Sequence, residues 1–166
     1  MTTGTAALSG PAPAGGATIV LSSSVAELTV PSAVLIPAGA TSADFTAAAS
    51  AVETPTNAVV TTTYLGTSQS GIVTLLPPEL LNFEVTPAMP VGGDAATAHA
   101  TLDAPAAPAG AIVGITSSDP TLVPSATLTV PGGATEGTAA LPTNAVAAPS
   151  SVVVSATRNG TAALRS

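Results

Sequence analysis

Apolar and polar residues alternate in short runs, and proline or glycine breaks the runs every several residues. Leu81, Phe83 and Val85 alternate with Asn82, Glu84 and Thr86, and Val152, Val154 and Ala156 alternate with Val153, Ser155 and Thr157. A period of two places successive side chains on opposite faces of a strand. Val59 to Thr63 is a run of β-branched residues, which suits an extended, half-buried backbone. Sixteen prolines and fifteen glycines oppose long helices and mark turns. The pattern predicts strands over residues 81–86, 95–103, 111–117, 122–130, 135–143 and 151–158, with a seventh beginning at Thr161. Asn159-Gly160 and Leu65-Gly66 predict hairpin turns. Seven short strands with regular turn signals predict an all-β fold, a two-sheet Greek-key sandwich.

The same unit recurs along the chain. TTGTAALSGP at residues 2–11 lies over ATAHATLDAP at 96–105, pairing Leu8 with Leu102, and Val52, Pro55 and Gly66 meet Val146, Pro149 and Gly160 at the same interval of 94. A one-residue indel is expected to shift PAGG at 13–16 against PAGA at 108–111. The expected organisation is two tandem modules, residues 1–77 and 78–166, each large enough for one small core. Pro77-Pro78 predicts a short, stiff linker between them. Both modules read as strand-deficient at the chain ends. Nothing ahead of Met1 corresponds to residues 81–94, and nothing after Ser166 corresponds to 73–77. An unpaired edge accepts another strand, and two sources stay open: further residues of a longer array, or a neighbouring subunit in donor-strand fashion, giving a head-to-tail filament.

The succession PAPAGG, SSS, VPSAVLIPAGATSADF and VVTTTYLG, answered by PAAPAGA, SSDP, VPSATLTVPGGATEGTAA and VVVSATRNG, covers nearly the whole chain. It resembles the tandem bacterial immunoglobulin-like repeats of large surface and secreted proteins. The resemblance implies an immunoglobulin-like or fibronectin-III-like sandwich in an adhesin stalk, sheath or fibre, located outside the cell or on its surface. Members of such arrays often carry lysine-to-asparagine isopeptide bonds, and a chain without lysine cannot form them.

Composition removes most chemistry. Nine acids stand against Arg158 and Arg165, so no cationic stripe exists to bind nucleic acid. Cysteine is absent, which rules out disulfides and thiolate metal sites. Every apolar stretch is interrupted well before the roughly 18 residues of a spanning helix, and MTTGTAALSG lacks the charged and apolar regions of a secretion signal. No membrane insertion is expected.

His99 is the one imidazole, predicted to face solvent beside Thr97, Thr101 and Asp103; Thr5 holds the matching place in the first copy. Gly66 to Gly71 imitates a nucleophile elbow, but Ser70 stands where the second glycine belongs and the segment follows a hairpin. Gly15-Gly16, Gly92-Gly93 and Gly132-Gly133 read as turns and not phosphate loops. Asp44, Asp94, Asp103, Asp119 and Glu136 lack calcium-loop spacing, and Glu79, Glu84 and Asp94 are the one conceivable acidic cluster. Asn159-Gly160-Thr161 fits a glycosylation acceptor and a hairpin equally, and Thr61 to Thr63 read as ordinary strand threonines.

The expectation is therefore no catalytic, cofactor or metal residues and no enzyme. The chain is expected to be a rigid spacer of an extracellular stalk, sheath or filament that associates with its own kind through strand edges. The alternative is an adhesin or glycan-binding module using loops at one end. Because the first arginine is Arg158, trypsin resistance is expected even of the unfolded chain.

Overall fold

The computed structural model describes the backbone of residues 1–165 and the side chains of residues 1–160. Described residues form fourteen strands and no helix. They divide into two compact units, Met1–Leu76 and Pro77–Ser166.

Unit 1 contains β1 (Thr2–Ala7), β2 (Ala17–Ser23), β3 (Leu28–Thr29), β4 (Ala33–Ile36), β5 (Ser42–Ala49), β6 (Thr56–Tyr64) and β7 (Thr67–Leu75). Unit 2 contains β8 (Leu80–Thr86), β9 (Ala96–Leu102), β10 (Ala111–Ser117), β11 (Ala126–Val130), β12 (Glu136–Leu141), β13 (Val154–Arg158) and β14 (Thr161–Arg165). In unit 2, β12-β9-β8 forms one sheet and β11-β10-β13-β14 the other; in unit 1 the sheets are β1-β5-β3 and β4-β2-β6-β7. The chain passes between sheets after β9, β11 and β12 in unit 2, and after each of β1, β2, β3, β4 and β5 in unit 1, where the short β3 makes the additional crossings. This is an immunoglobulin-like Greek-key sandwich in each unit.

The backbone of the two units is bonded alike at a constant interval of 94. Leu8 N donates to Thr41 O and Leu102 N to Thr135 O; Gly16 N donates to Pro13 O and Gly110 N to Ala107 O; Ser24 N donates to Val59 O and Ser118 N to Val153 O. Left-handed residues recur likewise: Gly16 and Gly110 (φ 84° and 87°), Gly39 and Gly133 (79° and 78°), Leu65 and Asn159 (both 48°), Gly66 and Gly160 (80° and 83°). At Gly16 and Gly110 a Cβ would also lie 2.9 Å from the carbonyl oxygens of Ile36 and Val130, so these turns demand glycine for space and for φ. The expected indel at 13–16 is absent. Gly16 answers Gly110 without a shift, because the turn bond and not the PAG letters sets the register.

The cores differ. In unit 2 both sheets feed one cluster, with Phe83 from β8 packed among Ala98, Val113, Ile115, Leu128 and Leu141. Burying a Phe in this way contributes roughly 1.5–3 kcal/mol. In unit 1 the core falls into two clusters, one around Ile19 and Ile36 and one around Leu28 and Leu75. Unit 1 has no counterpart of β8, so β1 pairs only with β5. Facing that place, Val60, Thr62 and Tyr64 are half-buried, whereas Val154, Ala156 and Arg158, 94 residues on, are buried.

Three local expectations are corrected. Leu81 does not share a face with Phe83: a bulge between Leu80 and Asn82 turns Leu81 outward at 68% exposure and brings Leu80 into the core. Residues 122–125 are not strand. Asp119 organises a turn there, its backbone oxygen taking Leu122 N and Val123 N, and Pro124 cannot donate to a ladder. Strand β13 starts at Val154 instead of Ser151, where pairing with Ser117 of β10 and Arg165 of β14 begins.

Candidate functional site: a polar sheet face and an open-ended groove

The outer face of sheet β12-β9-β8 carries the one histidine. Register places Glu84 and Thr138 on either side of His99, and Asn82 and Glu136 on either side of Thr101. These side chains rim a shallow depression of about 310 Å³. His99 is exposed, as its alternation with Ala98 and Ala100 requires. Asn82 Nδ2 donates to Glu84 Oε1 at 3.1 Å. Among the described residues no three His, Asp or Glu side chains gather to hold a metal ion. In unit 1 the corresponding Thr5 donates to Asp44 Oδ1 at 2.6 Å, so the same lattice position carries a hydroxyl–carboxylate pair.

The remaining candidates are dispersed. Ser70 lies mid-strand in β7, 3.0 Å from the Thr61 hydroxyl, and Thr63 meets Ser68 at 2.8 Å in the same ladder. Glu79 and Asp103 tie the start of β8 to the end of β9 through Glu79 N to Asp103 Oδ1 (2.7 Å) and Asp103 N to Glu79 O (3.0 Å). Asp94 lies in the turn before β9, where its backbone oxygen takes the Thr143 hydroxyl at 2.6 Å. Glu79, Glu84 and Asp94 are thus spread over the β8–β9 hairpin. Asp119 Oδ1 accepts both the amide and the hydroxyl of Thr121. That hydroxyl bond, above all, holds the carboxyl below its ordinary 3.8, against a smaller opposing effect of burial. Asn159-Gly160 is the β13–β14 turn.

The larger concavity is apolar and lies within unit 2. It measures about 680 Å³ and is lined by Leu122, Leu141, Val146, Val152 and Val154, with Pro87 and Met89 at its mouth. Val146 is 40% exposed there. Ser150 and Ser151 also border it.

Arg158 is a site that the sequence reading passed over. It is 4% exposed, donating from Nε to Pro78 O at 3.0 Å and from a terminal nitrogen to Ile112 O at 3.3 Å. Its inward position was signalled by the alternation Val154, Ala156, Arg158. The guanidinium anchors the segment entering β8 to β10 and β13, which is a structural role.

No family model matches the chain, and no curated protein matches it. Among solved structures it is similar to the D0-D1 domain of intimin (TM-score 0.38, 16% identity, covering 96% of this chain and 83% of that one). It is also similar to domains 4-9 of the surface layer protein SbsC (TM-score 0.37, 18% identity, covering 91% of this chain). The chain spans 21% of that SbsC structure. Neither likeness bears on chemistry.

Proposed function

We propose that the chain is a spacer: tandem immunoglobulin-like repeats forming part of an extracellular bacterial stalk, sheath or filament and associating with further copies through strand edges. One observation carries this reading. What recurs every 94 residues is scaffold, namely turn bonds, left-handed glycines, core positions and the serines that bond the backbone, Ser23 with Ser117 and Ser24 with Ser118, while the histidine and the buried arginine do not recur; His99 answers to Thr5 and Arg158 to Tyr64. Duplication that preserves framework and lets surface chemistry drift adds reach without adding a site. The adhesive alternative draws no support from the loops, because Phe45, Tyr64 and Phe83, the three aromatic residues, all sit in strands and none is offered to a sugar face.

Immunogold electron microscopy of the source cells tests the proposal. Label on surface structures with a regular axial repeat is the expected result. Label confined to the cell interior would reject it.

A further inference from the structure

The acids of this chain avoid one kind of surface. None of the nine lies on a strand of either four-stranded sheet; Asp44, Glu84 and Glu136 stand on the three-stranded sheets and the other six in turns and connections. On the outer face of β4-β2-β6-β7 every side chain is uncharged. Ala33, Val20, Thr63 and Ser68 stand abreast across its four strands, and Ser22, Thr61 and Ser70 form the next rung. The polar groups there bond to one another: Thr63 meets Ser68 at 2.8 Å, Thr61 meets Ser70 at 3.0 Å, and Thr74 donates to Asn57 Oδ1 at 2.9 Å. Among them Val20, Leu35 and Ile72 are each more than half exposed. Unit 2 keeps this character in its own residues, with the exposed Ile112 opposite Thr129 and Thr157 opposite Gly114.

We infer that this charge-free face of unit 1 is a contact for a second copy of the chain, packed sheet against sheet. Three observations choose that occupant. A chain of net charge −7 repels its own kind wherever acids meet acids, and this face lets two copies approach without that repulsion. Hydroxyls already bonded across the ladder lose less when water is expelled than unpaired ones would. A charged partner would have to bury its charge against Val20, Leu35 and Ile72, whereas an identical face brings none, and self-complementarity is what a two-fold contact requires. Four strands about 4.8 Å apart, with outward side chains about 7 Å apart along each, give a patch of roughly 400 Å² per copy. That is about half of what each partner contributes to a standard stable interface. The contact is therefore weak between two isolated chains and gains strength only where several repeats engage together. It is face to face, where the spacer reading invokes strand edges, and it adds a mode of association to that reading without depending on it.

Methyl and amide NMR spectra of the full chain, recorded from about 20 μM to about 1 mM, bracket a contact of this strength and test the inference. Concentration-dependent methyl shifts are expected at Val20, Leu35 and Ile72, with a sedimentation coefficient that rises over the same range. Added salt should strengthen the association, because it screens the remaining acids. Ile72→Glu is expected to weaken association at least about tenfold, since a two-fold contact meets the new charge twice. Thr46→Glu adds the same charge to the exposed face of β5 and should leave association within about twofold. A chain that stays monomeric over that range, shifts confined to amides along strand edges, or equal association of the two variants would each overturn the inference. The wild-type shifts need no substitution, so misfolding of a variant cannot hide the answer. Monomeric behaviour leaves the immunogold outcome untouched, and the two readings fail separately.

Discussion

Arg158 illustrates how one side chain can be both a cost and a fastener. Removing a guanidinium from water is expensive, and its bonds to the carbonyls of Pro78 and Ile112 help to offset that expense. Arg158→Ala empties its volume and takes the donor from the buried Pro78 carbonyl, and a loss of about 2–4 kcal/mol is expected in denaturant unfolding of unit 2. Arg158→Lys keeps the charge without the planar fork and should fall between the two. At Gly4 the constraint is space. An added Cβ would lie 2.8 and 2.9 Å from the Cε atoms of Phe45, so Gly4→Ala should cost about 1–3 kcal/mol, and Phe45→Leu in the same chain should recover part of it. A double-mutant cycle showing simple additivity would dismiss that contact. Asp119 makes stability depend on acid. Its carboxyl titrates below 3.8 in the folded chain, chiefly through the Thr121 hydroxyl, so its contribution is complete above that value and disappears as pH falls through the folded pKa. Thr121→Val should flatten this part of the pH profile of unit 2 melting, recorded between about pH 6 and pH 2.5.

Among the strands, β8 separates the two units. It contributes Leu80 and Phe83 to the continuous core of unit 2, and nothing in unit 1 replaces it. Phe83→Ala should therefore lower the stability of unit 2 by about 3–5 kcal/mol, seen as faster hydrogen exchange in β9, β10 and β13 with β2 and β6 unchanged. The sheets and most strands were legible in the alternation and punctuation of the sequence, since a period of two and a left-handed hairpin turn are local properties. Leu81 was misplaced because its alternation with Phe83 continues in the letters while a bulge interrupts it in the sheet. Residues 122–125 misled for a related reason: Leu122 and Val123 look like strand residues, but a turn set by Asp119 takes their amides. Arg158 was legible in principle, being in phase with Val154 and Ala156, and was overlooked because its charge suggested the surface. The groove could not be read from any one segment.

At the scale of the whole molecule, the sparsity of cations governs proteolysis. With arginine at 158 and 165 and no lysine, trypsin added to the urea-unfolded chain should leave a fragment ending at Arg158 and no shorter N-terminal product by mass spectrometry. Smaller pieces would show that the resistance does not come from sequence.

The pair of residues at the same place in the two sandwiches, Tyr64 and Arg158, gives each half its own native reporter. The single tyrosine, in a chain with no tryptophan, makes ultraviolet emission a signal from unit 1 alone. The buried arginine makes the rate of cutting at Arg158 a clock for the opening of unit 2. Unlabelled protein can thus disclose which half lets go first.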